Sequence, residues 1–257
     1  MNNIFDTLSA AGKDRNNVAL CIIVQTRGST PRSTGAKMLV FPDGSIEGTI
    51  GGGELEKSVI EQALKVLKNG KSSLFRHDLL HQHNMCCGGS VDVYIEPVMK
   101  KKRLYIFGAG HTGHALARLA VHLDFEIFVI DDRKDYLDQI QVEGVNKMHL
   151  HYAQALTVLP FDEQTFITIM TYSHPHDRDI LAYCLGQKYA YLGMIGSERK
   201  VEMTKKMFEE GKVASREVLN SVDMPMGLSI GAETPEEIAV SILARLIEVK
   251  NFSVKEK

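Results

Sequence analysis

Hydrophobic positions along the chain form one pattern before residue 100 and another after it. A nearly continuous apolar run over Val18–Thr26 predicts a buried strand, and alternation over Val91–Val98 predicts a second one. Two shorter strands, Lys37–Phe41 and Ser45–Ile50, flank the turn-forming sequence PDG. Three glycines then open a predicted helix that runs to about Asn69 and is capped by Gly70.

After residue 100 the predicted strands alternate with helices. This order predicts right-handed βαβ units around a parallel sheet. We therefore expect an α/β protein with two domains, a mixed α/β domain over 1–99 and a Rossmann-like domain over 100–257. The predicted strands are Leu104–Phe107, Glu126–Ile130, Phe166–Thr171 and Tyr189–Ile195, and the predicted helices are His111–Leu123, Asp177–Gln187, Glu198–Gly211 and Pro235–Lys250.

Composition narrows the class of protein. Of 257 residues 44% are hydrophobic and 24% are charged, which is typical of globular domains. The net charge of −2 argues against nucleic-acid binding. No apolar run reaches the roughly 20 residues of a membrane helix, and residues 1–13 lack signal-peptide features, so we expect a cytoplasmic protein. Structural disulfides are not expected there, and Cys21 and Cys184 lie in apolar patterns typical of buried thiols.

A glycine fingerprint follows the first predicted strand of the second domain. Gly108 would allow a tight turn, Gly110 a close approach to a diphosphate, and Gly113 close packing of helix and strand. Asp131 ends the next strand, where an acid binds ribose hydroxyls, and Arg133 beside it would favour a phosphate. This pattern predicts binding of NAD(P) or another nucleotide. The alternative is a Rossmann domain without a dinucleotide or with another phosphate-bearing ligand.

Two loops in the first domain are rich in glycine and hydroxyl residues. Arg32 lies in GSTPRSTGA, where its guanidinium would pair with a phosphate or carboxylate. Gly51, Gly52 and Gly53 precede a helix, and their backbone donors would face an anion. The alternatives are an exposed loop and a tight strand-to-helix turn. Glu56 suits the first helical turn for electrostatic reasons alone.

Histidines and cysteines are concentrated in one short stretch, at His77, His81, His83, Cys86 and Cys87. Their spacing matches no usual zinc pattern, so we expect no metal site. A reactive thiol is favoured instead. Cys87 precedes two glycines, where the backbone turns sharply and would expose the sulfur. The alternative is an ordinary buried cysteine.

Seven blocks together resemble one family. GSTPRSTGAKM, GTIGGGELE and MCCGGSVDVYIEP resemble the N-terminal domain of the XdhC/CoxI family. Four later blocks resemble its C-terminal Rossmann domain, namely IFGAGHTGHALARLA with VIDDR, TYSHPHDRDIL, YLGMIGSERK and MGLSIGAETPEEIAVSILARLI. The blocks cover nearly the whole chain in the expected order.

This resemblance implies an accessory protein for molybdenum hydroxylases such as xanthine dehydrogenase. Such a protein binds molybdenum cofactor, assists its sulfuration and inserts it into the apo enzyme, without turnover of its own. Cys87 would contact the metal or its sulfur, Arg32 and the glycine loop would hold the phosphate or pterin, and the Rossmann domain would hold a nucleotide portion. A cysteine desulfurase and a second copy of the chain are the further partners considered.

One block departs from the family pattern. Tyr172 stands where many relatives carry a histidine, although His174 and Asp177 match. His174 remains a candidate for cofactor binding, but a role that needs two histidines is in doubt. The competing hypothesis is an NAD(P)-dependent oxidoreductase, for which His111, His114 and His174 are the candidate proton-transfer residues. A metal-dependent hydrolase would need a ligand set that the sequence does not supply.

Overall fold

The computed structural model describes residues 4, 6–8, 17–82 and 88–252. The chain divides into two compact units, 1–100 and 101–257. Among the described residues, no helix has both the length and the apolar character needed to cross a bilayer.

The first unit is a five-stranded antiparallel sheet with a helix against it. The sheet order is β3-β2-β1-β5-β4, so that the long strand β1 lies at its centre. The elements are β1 (Val18–Arg27), β2 (Lys37–Val40), β3 (Ile46–Gly48), α1 (Gly53–Asn69), β4 (Ser73–Asp78) and β5 (Ser90–Val98).

The core of this unit lies between the central strands and α1. Alternate residues of β1, including Cys21 and Ile23, pack against the buried face of α1, where Leu55 and Val59 lie one turn apart. Gly70 ends the helix in a left-handed conformation and its N–H donates to the Val66 carbonyl. The predicted helix and its cap are confirmed.

The second unit is a parallel sheet with helices on both faces. The sheet order is β10-β9-β6-β7-β8, and all its strand pairs are parallel. Its elements are β6 (Lys102–Phe107), α2 (His111–Ala120), β7 (Phe125–Asp131), α3 (Lys134–Asp138), β8 (Val145–His149), α4 (Tyr152–Val158), β9 (Thr165–Ile169), α5 (His174–Cys184), β10 (Tyr191–Met194), α6 (Glu198–Glu210), α7 (Arg216–Asn220) and α8 (Pro235–Phe252).

Strand β6 lies at the centre and its side chains alternate between two cores. Leu104 and Ile106 belong to the core that contains α2 and α8, while Tyr105 and Phe107 belong to the core that contains α4 and α5. The chain runs outward from β6 through β7 and β8 on one side and through β9 and β10 on the other. The predicted Rossmann-like parallel sheet is confirmed, and the strand order reverses between β6 and β9, where such folds bind ligands.

Candidate functional sites

Three glycine-containing segments of the first unit meet at one end of its sheet. Gly28 lies so close to Gly89 that a Cβ at position 28 would be 3.2 Å from the Gly89 Cα. Ser29 forms a parallel bridge with Gly88. A Cβ on Gly51 would lie 2.5 Å from Cγ of Pro31. The arginine-containing loop, the glycine loop and the start of β5 are therefore brought together, as a shared site requires.

The backbone donors of the glycine loop already bind an anion, which is the chain's own Glu56. Its Oε1 accepts hydrogen bonds from the N–H groups of Ile50 at 3.0 Å, Gly51 at 3.2 Å and Gly52 at 2.8 Å. The Thr49 hydroxyl donates to the same oxygen. Although partial burial works against ionisation, these hydrogen bonds lower the pKa of Glu56. Glu56 thus does more than complement the helix dipole, because it holds the loop closed on itself.

Arg32 is exposed on the neighbouring loop, within which the Thr30 hydroxyl donates to the Arg32 carbonyl. Within the ranges 17–82 and 88–252, no side chain forms a hydrogen bond or ion pair with its guanidinium, which leaves it open to an incoming anion. Its predicted role in holding a phosphate stays a prediction.

The predicted reactive thiol, Cys87, lies outside the described residues, as do Cys86 and His83. His77 is buried and its Nε2 lies 3.1 Å from Oε1 of Gln62. His81 is exposed and its backbone N–H donates to Asp78. No cluster of metal-ligating side chains occurs in the part of the chain that the structure describes. Cys21 and Cys184 are buried as predicted, and burial raises the pKa of each thiol to about 12.

In the second unit the glycine fingerprint forms the turn between β6 and α2. Gly108 has a φ of 113°, and a Cβ there would lie 2.3 Å from the Met170 carbonyl oxygen after β9. A Cβ on Gly113 would lie 1.9 Å from the Gly108 oxygen. Both glycines are therefore required by the fold. Gly110 is at the N-cap of α2. A Cβ placed on it would meet no atom within 4 Å, so the position has the open space that a phosphate group of a ligand needs.

Asp131 ends β7 fully buried, with both carboxylate oxygens engaged. Oδ2 accepts from the Ala109 N–H at 2.7 Å, and Arg133 donates from Nε to Oδ1 at 2.9 Å and from Nη2 to Oδ2 at 2.8 Å. Burial opposes ionisation, but these hydrogen bonds lower the pKa of Asp131. The carboxylate clamps the glycine turn to Arg133, so a ribose at this residue would have to compete with two existing partners.

Aromatic rings hold Arg133 in place beside this carboxylate. Its guanidinium carbon lies 3.9 Å from the ring centre of Tyr136 and 4.2 Å from that of Tyr172. The Tyr172 hydroxyl donates to Oδ2 of Asp132 at 3.1 Å and lies 3.3 Å from Nε2 of His176. Tyr172 therefore reaches from the loop after β9 to the loop after β7. The sequence pattern marks Tyr172 as a departure but gives no role to Asp132 or His176, although His176 stands in the block SHPH.

His174 and Asp177 meet at the start of α5. Nδ1 of His174 lies 3.4 Å from Oδ2 of Asp177, and the histidine side chain is exposed. Asp177 is buried and accepts hydrogen bonds from the N–H and hydroxyl of Thr171 at 2.9 and 2.6 Å. Burial raises the pKa of Asp177, against the effect of these hydrogen bonds. Asp177 thereby fixes the loop that carries Tyr172, and the predicted role of His174 stays a prediction.

A glycine turn beside the point where strand order reverses, with a buried acid after the second strand, defines the second unit as a Rossmann-like domain. Residues 104–246 match the family described as "XdhC Rossmann domain" and residues 12–78 match the "XdhC and CoxI family". The chain belongs to the XdhC and CoxI family, as the resemblance of its sequence blocks indicated.

Two curated relatives cover nearly all of the chain. "Uncharacterized protein YqeB" of Escherichia coli strain K12 is 36% identical over 97% of the chain, and the chain spans only 46% of that protein's length. A protein of Bacillus subtilis strain 168, named as a probable xanthine dehydrogenase subunit, is 23% identical over 97% of the chain and 98% of the relative.

The fold is also found among solved structures. A crystal structure of a xanthine dehydrogenase from Bacillus halodurans superposes with a TM-score of 0.54 at 23% identity, covering 100% of this chain and 97% of that one. This likeness supports the arrangement of strands and helices described above.

Proposed function

We propose that the protein is an accessory factor that binds molybdenum cofactor, assists its sulfuration and inserts it into an apo molybdenum hydroxylase of the xanthine dehydrogenase type. The observation that carries this proposal is family membership across both units, joined to a relative that is matched over 98% of its own length and is named as a probable xanthine dehydrogenase subunit. In this role the cofactor is cargo that passes through the protein and not a resident group.

The geometry of the first unit supports this role. Arg32 is exposed and unpaired among the described residues, and it stands beside a loop whose amides can bind a carboxylate-sized anion, as Glu56 demonstrates. A guanidinium next to backbone donors suits the phosphate of a pterin cofactor. Cys87 immediately precedes Gly88, which pairs with Ser29 of the Arg32 loop. We propose that the Cys87 thiolate is the soft ligand or nucleophile for the metal or its sulfur.

The second unit would hold the nucleotide part of an extended cofactor or a free nucleotide. The open space at Gly110 and the N-terminus of α2, which no described side chain caps, suit a phosphate group. His174, exposed at the same edge of the sheet, is available to contact it.

The test is reconstitution of an apo hydroxylase with isolated molybdenum cofactor, a sulfur donor such as a cysteine desulfurase, and the purified protein. Cys87→Ala is expected to abolish activation while the far-UV circular dichroism and melting temperature remain those of the wild type. Cys86→Ala is the matched control and should support activation.

The same preparation separates binding from transfer. Wild-type protein is expected to retain the cofactor on gel filtration, and Cys87→Ala is expected to lose it. Full activation by Cys87→Ala would remove this thiol from the mechanism. An inability of the wild-type protein to bind cofactor or activate the enzyme would refute the proposed function.

A further inference from the structure

Two buried oxygen atoms near the end of β7 have no hydrogen-bond partner in the described part of the chain. They are the hydroxyl of Tyr152 and Oδ1 of Asp132. Tyr152 is only 2% exposed, at the start of α4. An unpaired polar atom in a protein interior costs free energy, so such atoms call for an explanation.

Both atoms lie at the carboxyl edge of the parallel sheet. Asp132 directly follows β7, and Tyr152 packs its ring against Phe107, the last residue of β6, with ring centres 6.4 Å apart. Burial raises the pKa of Tyr152, and the neighbouring carboxylates of Asp131 and Asp132 raise it further. The phenol is therefore protonated at neutral pH and available as a donor close to the Asp132 carboxylate.

The chemistry of the pair defines what would satisfy it. The Asp132 carboxylate accepts hydrogen bonds and the Tyr152 phenol donates one. A hydroxyl group both donates and accepts, so it would satisfy the two atoms. In Rossmann folds the ligand group at the end of the second strand is a ribose hydroxyl. The open space at Gly110 lies in the glycine turn whose Ala109 N–H donates to Asp131.

Tyr172 covers this pair in the present conformation. Its hydroxyl binds the other oxygen of Asp132, and its ring centre lies 6.5 Å from that of Tyr152. Tyr172 is itself 52% exposed, so its side chain can turn toward solvent when a ligand replaces its hydrogen bond to Asp132. Asp131 is unsuited to the same task because Ala109 and Arg133 already fill its oxygens.

We propose that Asp132 and Tyr152, and not Asp131, form the ribose-recognition site of the second unit, that Tyr172 covers it, and that it selects ribonucleotides without a 2′-phosphate. The selectivity follows from charge. The Arg133 guanidinium is already bound to Asp131 by two hydrogen bonds, and the carboxylate of Asp132 would repel a phosphate. The inference rests on the proposed nucleotide-binding role of this unit and is independent of cofactor delivery.

The experiment is calorimetric titration of the full-length protein with ADP-ribose, NAD⁺ and NADP⁺. The wild type is expected to bind ADP-ribose and NAD⁺, and to bind NADP⁺ at least about tenfold more weakly. Asp132→Asn should weaken ADP-ribose binding about tenfold, and Tyr152→Phe should weaken it about fivefold, as expected for the loss of one hydrogen bond each.

The sharpest measurement is the ratio of the Kd for NADP⁺ to the Kd for NAD⁺. Asp132→Asn removes the repelling charge, so this ratio should fall several-fold, a change that loss of stability alone would not produce. Asp138→Asn and Tyr183→Phe are matched controls, since both side chains are exposed and should leave all three affinities unchanged.

Three results would overturn the inference. They are a wild-type protein that binds none of the three probes, equal affinity for NAD⁺ and NADP⁺, and Asp132→Asn and Tyr152→Phe variants that bind like the wild type. Each of these leaves hydroxylase activation, the readout of the proposed function, separately measurable with the same protein.

Discussion

In the second unit, a residue that the sequence pattern predicts to bind a ligand is instead bonded to other parts of the protein. Asp131 occupies the position of a ribose-binding acid, yet its oxygens hold the glycine turn through Ala109 and neutralise Arg133. The acid is thus part of the fold. This arrangement explains how a nucleotide fingerprint can be intact in sequence while its acidic residue is committed within the protein.

Asp131→Ala is expected to destabilise the protein by about 3 kcal/mol, because it leaves the Arg133 charge and the Ala109 N–H without their partner in a largely buried setting. Urea unfolding followed by circular dichroism measures this change. A loss under about 1 kcal/mol would show that the clamp is dispensable. Any decrease in nucleotide affinity of this variant must be judged against its loss of stability.

The roles of some residues were predictable from local sequence and those of others were not. Gly108 and Gly113 act as the fingerprint predicts, because the turn between a strand and a helix imposes the same geometry wherever it occurs. Tyr152 lies 20 positions beyond Asp132 in the sequence, and the packing of α4 against the sheet brings its phenol under the influence of the Asp132 charge. No local sequence pattern predicts that proximity.

At the scale of elements, the Glu56 carboxylate joins the glycine loop to α1. Glu56 lies in the first turn of α1 and its carboxylate accepts hydrogen bonds from three loop amides and one hydroxyl. The helix therefore carries the anion that orders the loop preceding it. A cofactor phosphate bound here would replace or join this carboxylate.

The hydrogen bonds to the Glu56 carboxylate predict that the stability of the protein depends on pH. Folding lowers the pKa of Glu56 below its ordinary value of 4.5, so its contribution is complete above that value and is lost as pH falls through the lower, folded-state pKa. Glu56→Gln should cost about 1 to 2 kcal/mol near neutral pH and less at a pH well below 4.5. Paired urea titrations of wild type and variant test this. An equal cost at both pH values would contradict it.

The turn between β6 and α2 offers a matched pair of substitutions. Gly113→Ala would place a Cβ 1.9 Å from a backbone oxygen and should cost about 3 kcal/mol, whereas Gly110→Ala meets no atom within 4 Å and should change stability by less than about 1 kcal/mol. Thermal unfolding compares them. Gly110→Ala should nevertheless weaken ADP-ribose binding, since its methyl group enters the space left for a phosphate. Equal stability of the two variants would exclude this account of the turn.

Elements with a strong apolar pattern or a clear turn signal were predictable, including the short strands β2, β3 and β10, and five other elements were not. The apolar run of β1, the capped helix α1 and the strands β6, β7 and β9 stand where the pattern places them. The predictions omitted β4, β8, α3, α4 and α7. These elements span five to seven residues and carry few buried side chains, so tertiary contacts determine them more than local pattern.

At the scale of the whole molecule, the two units have separate sheets and separate cores. Each carries its own candidate site, the loops around Arg32 in the first and the end of β7 in the second. The proposed chemistry divides in the same way, with the thiol and phosphate binding in one unit and ribose recognition in the other.

This division predicts that a mutation can abolish hydroxylase activation without changing ADP-ribose binding. Cys87→Ala should abolish hydroxylase activation while its Kd for ADP-ribose stays within about twofold of the wild-type value, because the thiol and the proposed ribose site belong to separate units. Parallel calorimetry and activation assays on one preparation test the point. A large change in ADP-ribose affinity in this variant would instead show energetic coupling between the sites.

The two buried cysteines give the molecule built-in reporters. Cys21 lies in the core of the first unit and Cys184 in that of the second, each with a pKa of about 12 that leaves almost no thiolate at neutral pH. Alkylation of the native chain will therefore spare Cys21 and Cys184. As denaturant is added, mass spectrometry of the labelled peptides can follow the exposure of Cys21 and of Cys184 separately. The unfolding of each unit can thus be measured without an added probe.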